Sequence, residues 1–184
     1  MWGRRRKIGR GPLVQAAVIG AAGHGKSTLV QALTEVVPQE FRQPAQPLGQ
    51  FGTARGSYQL YDSPDLDSFR SRLAVGAGQL GGAVLAVSAE DGPMPDTREY
   101  LEAARAAGVT QVAVFLGKCD LVNDPEITEI IELEIRELLH ELGYPGDQCP
   151  VVHGSALRAM HQAGSRQGRR DVVRLTEALD GHFG

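Results

Sequence analysis

The stretch Gly20-Ala21-Ala22-Gly23-His24-Gly25-Lys26-Ser27 limits the folds open to this chain more than any other part of it. It has the spacing G-x-x-x-x-G-K-S. The apolar run Leu13 to Ile19 leads into it and reads as a strand, and Lys26 to Val36 follows and reads as a helix. A phosphate-binding loop requires that order. Glycines let the backbone wrap closely, so that successive N–H groups converge on phosphate oxygens. The helix N-terminus adds its partial positive charge. The candidate phosphate-side residues are therefore Gly20, Gly23, His24, Gly25, Lys26, Ser27 and Thr28. Lys26 is positioned to reach the β- and γ-phosphates, and the Ser27 hydroxyl to ligate Mg²⁺. His24 is expected to pack outside the phosphates, with no catalytic role.

Beyond that loop, apolar runs alternate with helical patterns. Ser57 to Asp62, Ala83 to Ser88, Val109 to Leu116 and Val151-Val152 read as strands, with a short edge strand near Gln50-Phe51. Pro95 to Ala107 reads as a helix, opened by a proline and closed by Gly108. Pro125 to Leu142 carries Ile127, Ile130, Ile131, Ile135, Leu138, Leu139 and Leu142 at helical spacing. Phe69 to Val75 is weakly helical, and a last helix is expected from Asp171 to Phe183, after a basic loop holding Arg166, Arg169 and Arg170. Pro38 to Gly56 shows no sustained periodicity and reads as loop.

This alternation predicts a three-layer α/β/α fold of the P-loop NTPase kind, a mostly parallel sheet with helices on both faces. In such sheets ligands bind at the carboxyl ends of the strands. The loops at 20–27, 62–65, 117–120 and 154–157 all follow strands, so they should gather into one site.

Composition narrows the alternatives. A chain of 184 residues suits one domain, read as 13–184 behind a basic tail, 1–12, with Arg4, Arg5, Arg6, Lys7 and Arg10. That tail superficially resembles the start of a secretory signal, but Gln15 interrupts the apolar stretch after it. A formal net charge of −3 gives no global field favouring nucleic acid. Cys119 and Cys149 fit no zinc or redox spacing and read as reduced thiols, so a cytoplasmic location is expected. No apolar run reaches transmembrane length, so no membrane partner is expected.

The stretches Gly92-Pro-Met-Pro-Asp-Thr-Arg-Glu99, Val114-Phe-Leu-Gly-Lys-Cys-Asp120 and Gly154-Ser-Ala-Leu157 resemble the GTP-binding domain of elongation factor Tu. So do Glu132 to Leu139 and Tyr144-Pro-Gly-Asp147. The resemblance runs from about Leu13 to Gly181. It implies a translational-type G domain without the two β-barrel domains that follow in that family. It further implies GTP or GDP as ligand with Mg²⁺, held by Ser27 and, through water, by Asp62. Beyond the guanine nucleotide, the partners it implies are the ribosome, RNA or a protein.

Carried over residue by residue, the resemblance has gaps. Gly23 replaces an acidic residue of the family's loop. The family's Arg-Gly-Ile-Thr switch has no counterpart, and Thr53 reads as part of a hairpin turn rather than as the switch ligand. Asp62-Ser63-Pro64-Asp65 keeps the aspartate of Asp-x-x-Gly but replaces its glycine, whose N–H approaches the γ-phosphate. A carboxylate at 65 should therefore disfavour GTP relative to GDP. Leu66 stands where the family has its catalytic histidine, and losing a water-orienting group costs roughly 10²–10⁴-fold in rate. No catalytic residue is assigned. In the base loop, the resemblance implies that Asp120 accepts from guanine N1–H and its amino group and that Lys118 lays its stem over the base. Gly117 replaces the asparagine whose amide bridges base and phosphate loop. Ser155, Ala156 and Leu157 keep the loop around the base carbonyl.

Three readings remain open at this point. One is a guanine-nucleotide binding module with weak or lost hydrolysis. The second is a slow GTPase, cleaving GTP to GDP and phosphate when a partner or the ribosome activates it. The third is a structural or RNA-contacting protein with a vestigial site.

Overall fold

The computed structural model describes residues 11–36, 49–76, 80–161 and 166–183. The basic tail and most of the aperiodic stretch after the first helix lie outside the described residues. Six strands form one sheet: β1 (Leu13–Ile19), β2 (Gln50–Gly52), β3 (Ser57–Asp62), β4 (Leu80–Ser88), β5 (Val112–Gly117) and β6 (Val151–His153). Six helices connect or follow them: α1 (Lys26–Val36), α2 (Leu66–Gly76), α3 (Pro95–Ala106), α4 (Pro125–Glu141), α5 (Ala156–His161) and α6 (Arg166–His182). The strand order is β2-β3-β1-β4-β5-β6, parallel except for β2 against β3.

Period-two alternation along the central strands produces the layers. Ala16 and Val18 of β1, Val84 and Ala86 of β4, and Ala113 and Phe115 of β5 pack against α1, α5 and α6. Their neighbours Ala17, Ile19, Leu85, Val87, Val114 and Leu116 pack against α2, α3 and α4. Each valine, leucine, isoleucine or phenylalanine buried this way contributes about 1.5–3 kcal/mol, and each alanine less. Both faces of the strands are covered, which is why they read as continuous apolar runs. This is the expected α/β architecture.

Pairing register fixes where the loops emerge. Val18 lies opposite Asp62, Ile19 opposite Leu85, Ser88 opposite Gly117 and Leu116 opposite His153. The carboxyl ends of β1, β3, β4, β5 and β6 therefore share one edge. The chain leaves β1 toward β3 on one side and returns to β4 on the other, which makes a switch point beside β1.

Several elements differ from expectation. Arg166, Arg169 and Arg170 belong to the first turns of α6, not to a loop. Within those turns, a Cβ at Gly168 would lie 2.7 Å from Ala159 N, so this glycine permits α5 and α6 to cross closely. The expected loop at 154–157 runs directly into helix α5, which is capped by Ser155, whose Oγ accepts from Arg158 N–H at 3.2 Å. Helix α2 is a full eleven residues. Its signal is weak because only Phe69 and Leu73 are buried. β4 begins at Leu80 and β5 at Val112, shifted by three residues each from the expected starts. On α4, Ile131, Ile135 and Leu139 are buried, whereas Ile127 and Ile130 are exposed despite their spacing.

Candidate functional site

The two glycines that define the loop motif differ physically. Gly20 has φ +142°, and a Cβ there would lie 2.2 Å from the Ala86 carbonyl oxygen of β4. Gly25, at φ +83°, faces open space. Gly20 lets the loop leave β1 against the core, and Gly25 lets it turn into α1, whose first bond runs from Leu29 N–H to Gly25 O at 2.9 Å.

Lys26 is buried beneath the loop. Its Nζ donates to Gly20 O at 2.7 Å and to Ala21 O at 3.1 Å, and lies 5.6 Å from the Tyr100 ring centroid. Burial lowers its pKa, and the carboxylates of Asp62, Asp65 and Asp96 oppose that shift. The Ser27 hydroxyl donates to Asp62 Oδ2, joining the first turn of α1 to the end of β3.

His24 does more than pack at the margin. It is buried, with Nδ1 accepting from Ser88 N–H at 3.3 Å and Nε2 3.7 Å from Asp91. Burial holds its pKa down, Lys118 and Lys26 push the same way, and Asp91 pulls it up. The imidazole thus clamps the loop to the end of β4 in its neutral form.

The 62–66 segment is arranged differently from a free switch loop. Asp65 Oδ1 accepts from Ser68 N–H at 2.7 Å and caps α2. That bond holds its carboxyl below the usual range, with a smaller contribution from Lys26. Leu66 opens α2 and packs against the core layer formed with α3 and α4. Sequence reading missed Asp96 and Tyr100, both on α3. Burial raises the Tyr100 phenol, and Asp65, Asp96 and Asp62 add to the shift. Asp96 sits inside the Gly92–Glu99 stretch, and that was the available signal.

On the other side of the loop lies a cleft of about 180 Å³. His24, Gly25 and Thr28 line it from the loop and α1, and Gly117, Lys118 and Asp120 from β5 and the turn after it. Ser155, Ala156 and Leu157 close it from α5. Lys118 has φ +58° and starts the 3₁₀ turn Cys119–Leu121. Its ammonium is 3.4 Å from Glu90. Cys119 N–H donates to Gly154 O at 3.2 Å, which ties the base-side turn to the loop before α5. All four expected loops therefore meet at one edge.

Thr53 lies elsewhere. It is buried in the β2–β3 turn, at the opposite end of β3 from Asp62. Its hydroxyl donates to Asp180 Oδ1 at 2.7 Å and accepts from Gly56 N–H at 3.1 Å. The hairpin reading of Thr53 holds.

The family model of the elongation factor Tu GTP binding domain matches residues 46–183. The chain belongs to that family. Its members are GTP-binding translational GTPases, and their G domains bind guanine nucleotide with Mg²⁺. The match begins after the phosphate loop, so in this G domain the loop rests on its own sequence and geometry. Ser27 and Asp62 supply a hydroxyl and a carboxylate in contact with each other, the hard oxygen donors that Mg²⁺ takes, and the residues present fit that ion. Among the described residues no helix is long and apolar enough to cross a membrane.

Proposed function

We propose that this G domain binds GDP and GTP with Mg²⁺ and hydrolyses GTP weakly or not at all. The phosphate loop with Lys26 holds the phosphates, and Ser27 and, through water, Asp62 hold the ion. When bound, Mg²⁺ offsets phosphate charge. Asp120 accepts two hydrogen bonds from guanine, a pairing adenine does not offer, while the Lys118 stem and Ser155-Ala156-Leu157 enclose the base. Residues 13–184 then form one G domain behind a basic tail, 1–12, in the cytoplasm.

The observation that carries the weak-hydrolysis reading is Leu66 at the start of α2, half-buried against the core, where a water-orienting group is needed. A hydrocarbon side chain cannot accept or donate a hydrogen bond, so an activating partner or the ribosome would have to supply that group. The three carboxylates around Lys26 add a second effect. They oppose a γ-phosphate more than the β-phosphate, which favours GDP.

Titration with GDP, GTP and ATP, with and without Mg²⁺, with phosphate release followed in the same samples, tests this. Both guanine nucleotides bind, GDP at least as tightly as GTP; ATP does not; and phosphate release stays near background. Asp65→Gly with Leu66→His raises release at least about tenfold. Failure to bind any guanine nucleotide would remove the site assignment. GTP bound much more tightly than GDP would remove the carboxylate argument.

One observation favours an RNA-contacting role beside this. Arg166, Arg169, Arg170 and Arg174 are exposed on α6, and the first turn of that helix carries no acidic residue. Charge reversal at Arg169 and Arg170 should abolish salt-sensitive RNA binding while sparing GDP binding.

A further inference from the structure

Asp120 stands between two cavities. One is the cleft of about 180 Å³ that it shares with Lys118 and Ala156. The other, of about 310 Å³, lies behind it and is lined by Asp120, Arg158, Gln167, Asp171 and Arg174 among others. Arg158 borders only the second. Its Nε is 3.3 Å from Asp120 Oδ2, and the Asp120 side chain is only 15% exposed. The guanidinium therefore approaches the carboxylate from the side away from the base cleft. A carboxylate has about four lone-pair sites, so a donor on the far side leaves inward-facing ones free.

The same residue acts on the other half of base recognition. Arg158 N–H donates to Ser155 Oγ at 3.2 Å, and Ser155 lines the cleft. Arg158 thus links both base-reading segments, one through its backbone and the other through its side chain. Position 117, beside them, is a glycine and offers no side chain to brace the loop. Arg158 is the ion-pair partner that Asp120 has among the described residues.

We propose that Arg158 is a positioning residue for guanine recognition, fixing the plane of the Asp120 carboxylate from behind the base cleft. This rests on the guanine-binding reading given above. Two parallel hydrogen bonds, to N1–H and to the 2-amino group, need a fixed carboxylate plane. A single bond to N1–H tolerates rotation. Loss of the brace therefore weakens guanine more than hypoxanthine, which lacks the 2-amino group. Arg158 is half-exposed, so the pair is screened, and an effect of about threefold to fivefold is expected.

The test compares GDP and IDP affinities of the wild-type chain, Arg158→Ala and Arg158→Lys, at low and high salt, with thermal melts as fold control. Both substitutions keep the backbone N–H that holds Ser155. Arg158→Ala weakens GDP about threefold to fivefold and IDP less than twofold, so the GDP-to-IDP preference shrinks. Arg158→Lys restores part of it, and the difference narrows in 1 M salt as screening grows (Debye length about 3 Å). Unchanged GDP affinity in Arg158→Ala, equal weakening of GDP and IDP, or tighter GDP binding would each overturn the proposal. Wild-type chain that binds neither nucleotide would overturn the guanine reading itself, and this inference with it.

Discussion

Gly20 and Gly25 occupy equivalent places in the sequence motif, but alanine at the two positions should fail in different ways. At Gly20 the new methyl carbon would meet the Ala86 carbonyl oxygen at 2.2 Å, in the middle of the sheet, with φ at +142°. About 1 Å of extra separation between β1 and β4 must be found, which costs about 1–3 kcal/mol as overpacking. The backbone conformation adds about 1–3 kcal/mol of strain. Together this is about 2–6 kcal/mol, against a total stability of about 5–15 kcal/mol for a domain. At Gly25 the methyl meets nothing within 4 Å, and only the left-handed φ of +83° is penalised, about 1–2 kcal/mol. That methyl enters the space where the loop N–H groups converge, so GDP binding should fall by at least about tenfold. Urea denaturation of the nucleotide-free chains, paired with fluorescent-GDP titration, separates the two. Gly20→Ala should be mostly unfolded or strongly destabilised. Gly25→Ala should stay folded and lose nucleotide. Equal destabilisation of both, or wild-type GDP affinity in Gly25→Ala, would refute the division of roles.

Two further outcomes follow from buried groups away from the site. Tyr144 is buried and donates to Leu101 O at 3.0 Å, and burial pushes its phenol from 10.0 up to about 12. A phenol raised on folding stabilises fully below pH 10 and loses that share as pH climbs toward 12, about 3 kcal/mol in all. Urea midpoints between pH 9 and about 12 should fall less steeply for Tyr144→Phe than for wild type, and parallel curves would count against it. Asp180 Oδ1 accepts from Thr53 Oγ at 2.7 Å and Tyr58 OH at 3.0 Å, joining the β2–β3 hairpin to α6. Asp180→Ala should cost about 2 kcal/mol in a chemical melt yet leave GDP affinity unaltered, because that hairpin turn is at the edge opposite Ser27 and Asp62. A large loss of GDP affinity would show the hairpin to be coupled to the site.

Strong local signals made much of this domain readable in advance. Strands β1, β4 and β5 are buried on both faces, so their apolar runs are unbroken. The phosphate loop and α1 share one pattern, and Thr53 sits in a four-residue turn whose bonds are mostly local. Legibility failed where the decisive contact is distant in sequence. Helix α2 buries only Phe69 and Leu73 against the core layer, so its apolar pattern is thin. The start of α6 reads as loop, and Gly168 within it packs on the α5 backbone at Ala159, a contact that no local pattern carries. Ile127 and Ile130 have helical spacing, which sets their angle on α4 but says nothing of what that angle faces.

The sequence by itself determined the phosphate loop, which depends on residue spacing along one strand, one turn and one helix. Through the alternation of strands and helices and several short motifs in order along the chain, it also determined the fold class and the family. Tertiary structure decided what each motif residue touches. It separated Gly20, pressed on Ala86, from Gly25, open to the site. It turned Asp65 onto the α2 backbone, brought Asp96 and Tyr100 from α3 to Lys26, and set Arg158 behind Asp120. Those contacts join strand ends fixed by pairing register across the sheet, and a linear pattern carries no distance between elements that meet only when the sheet has formed.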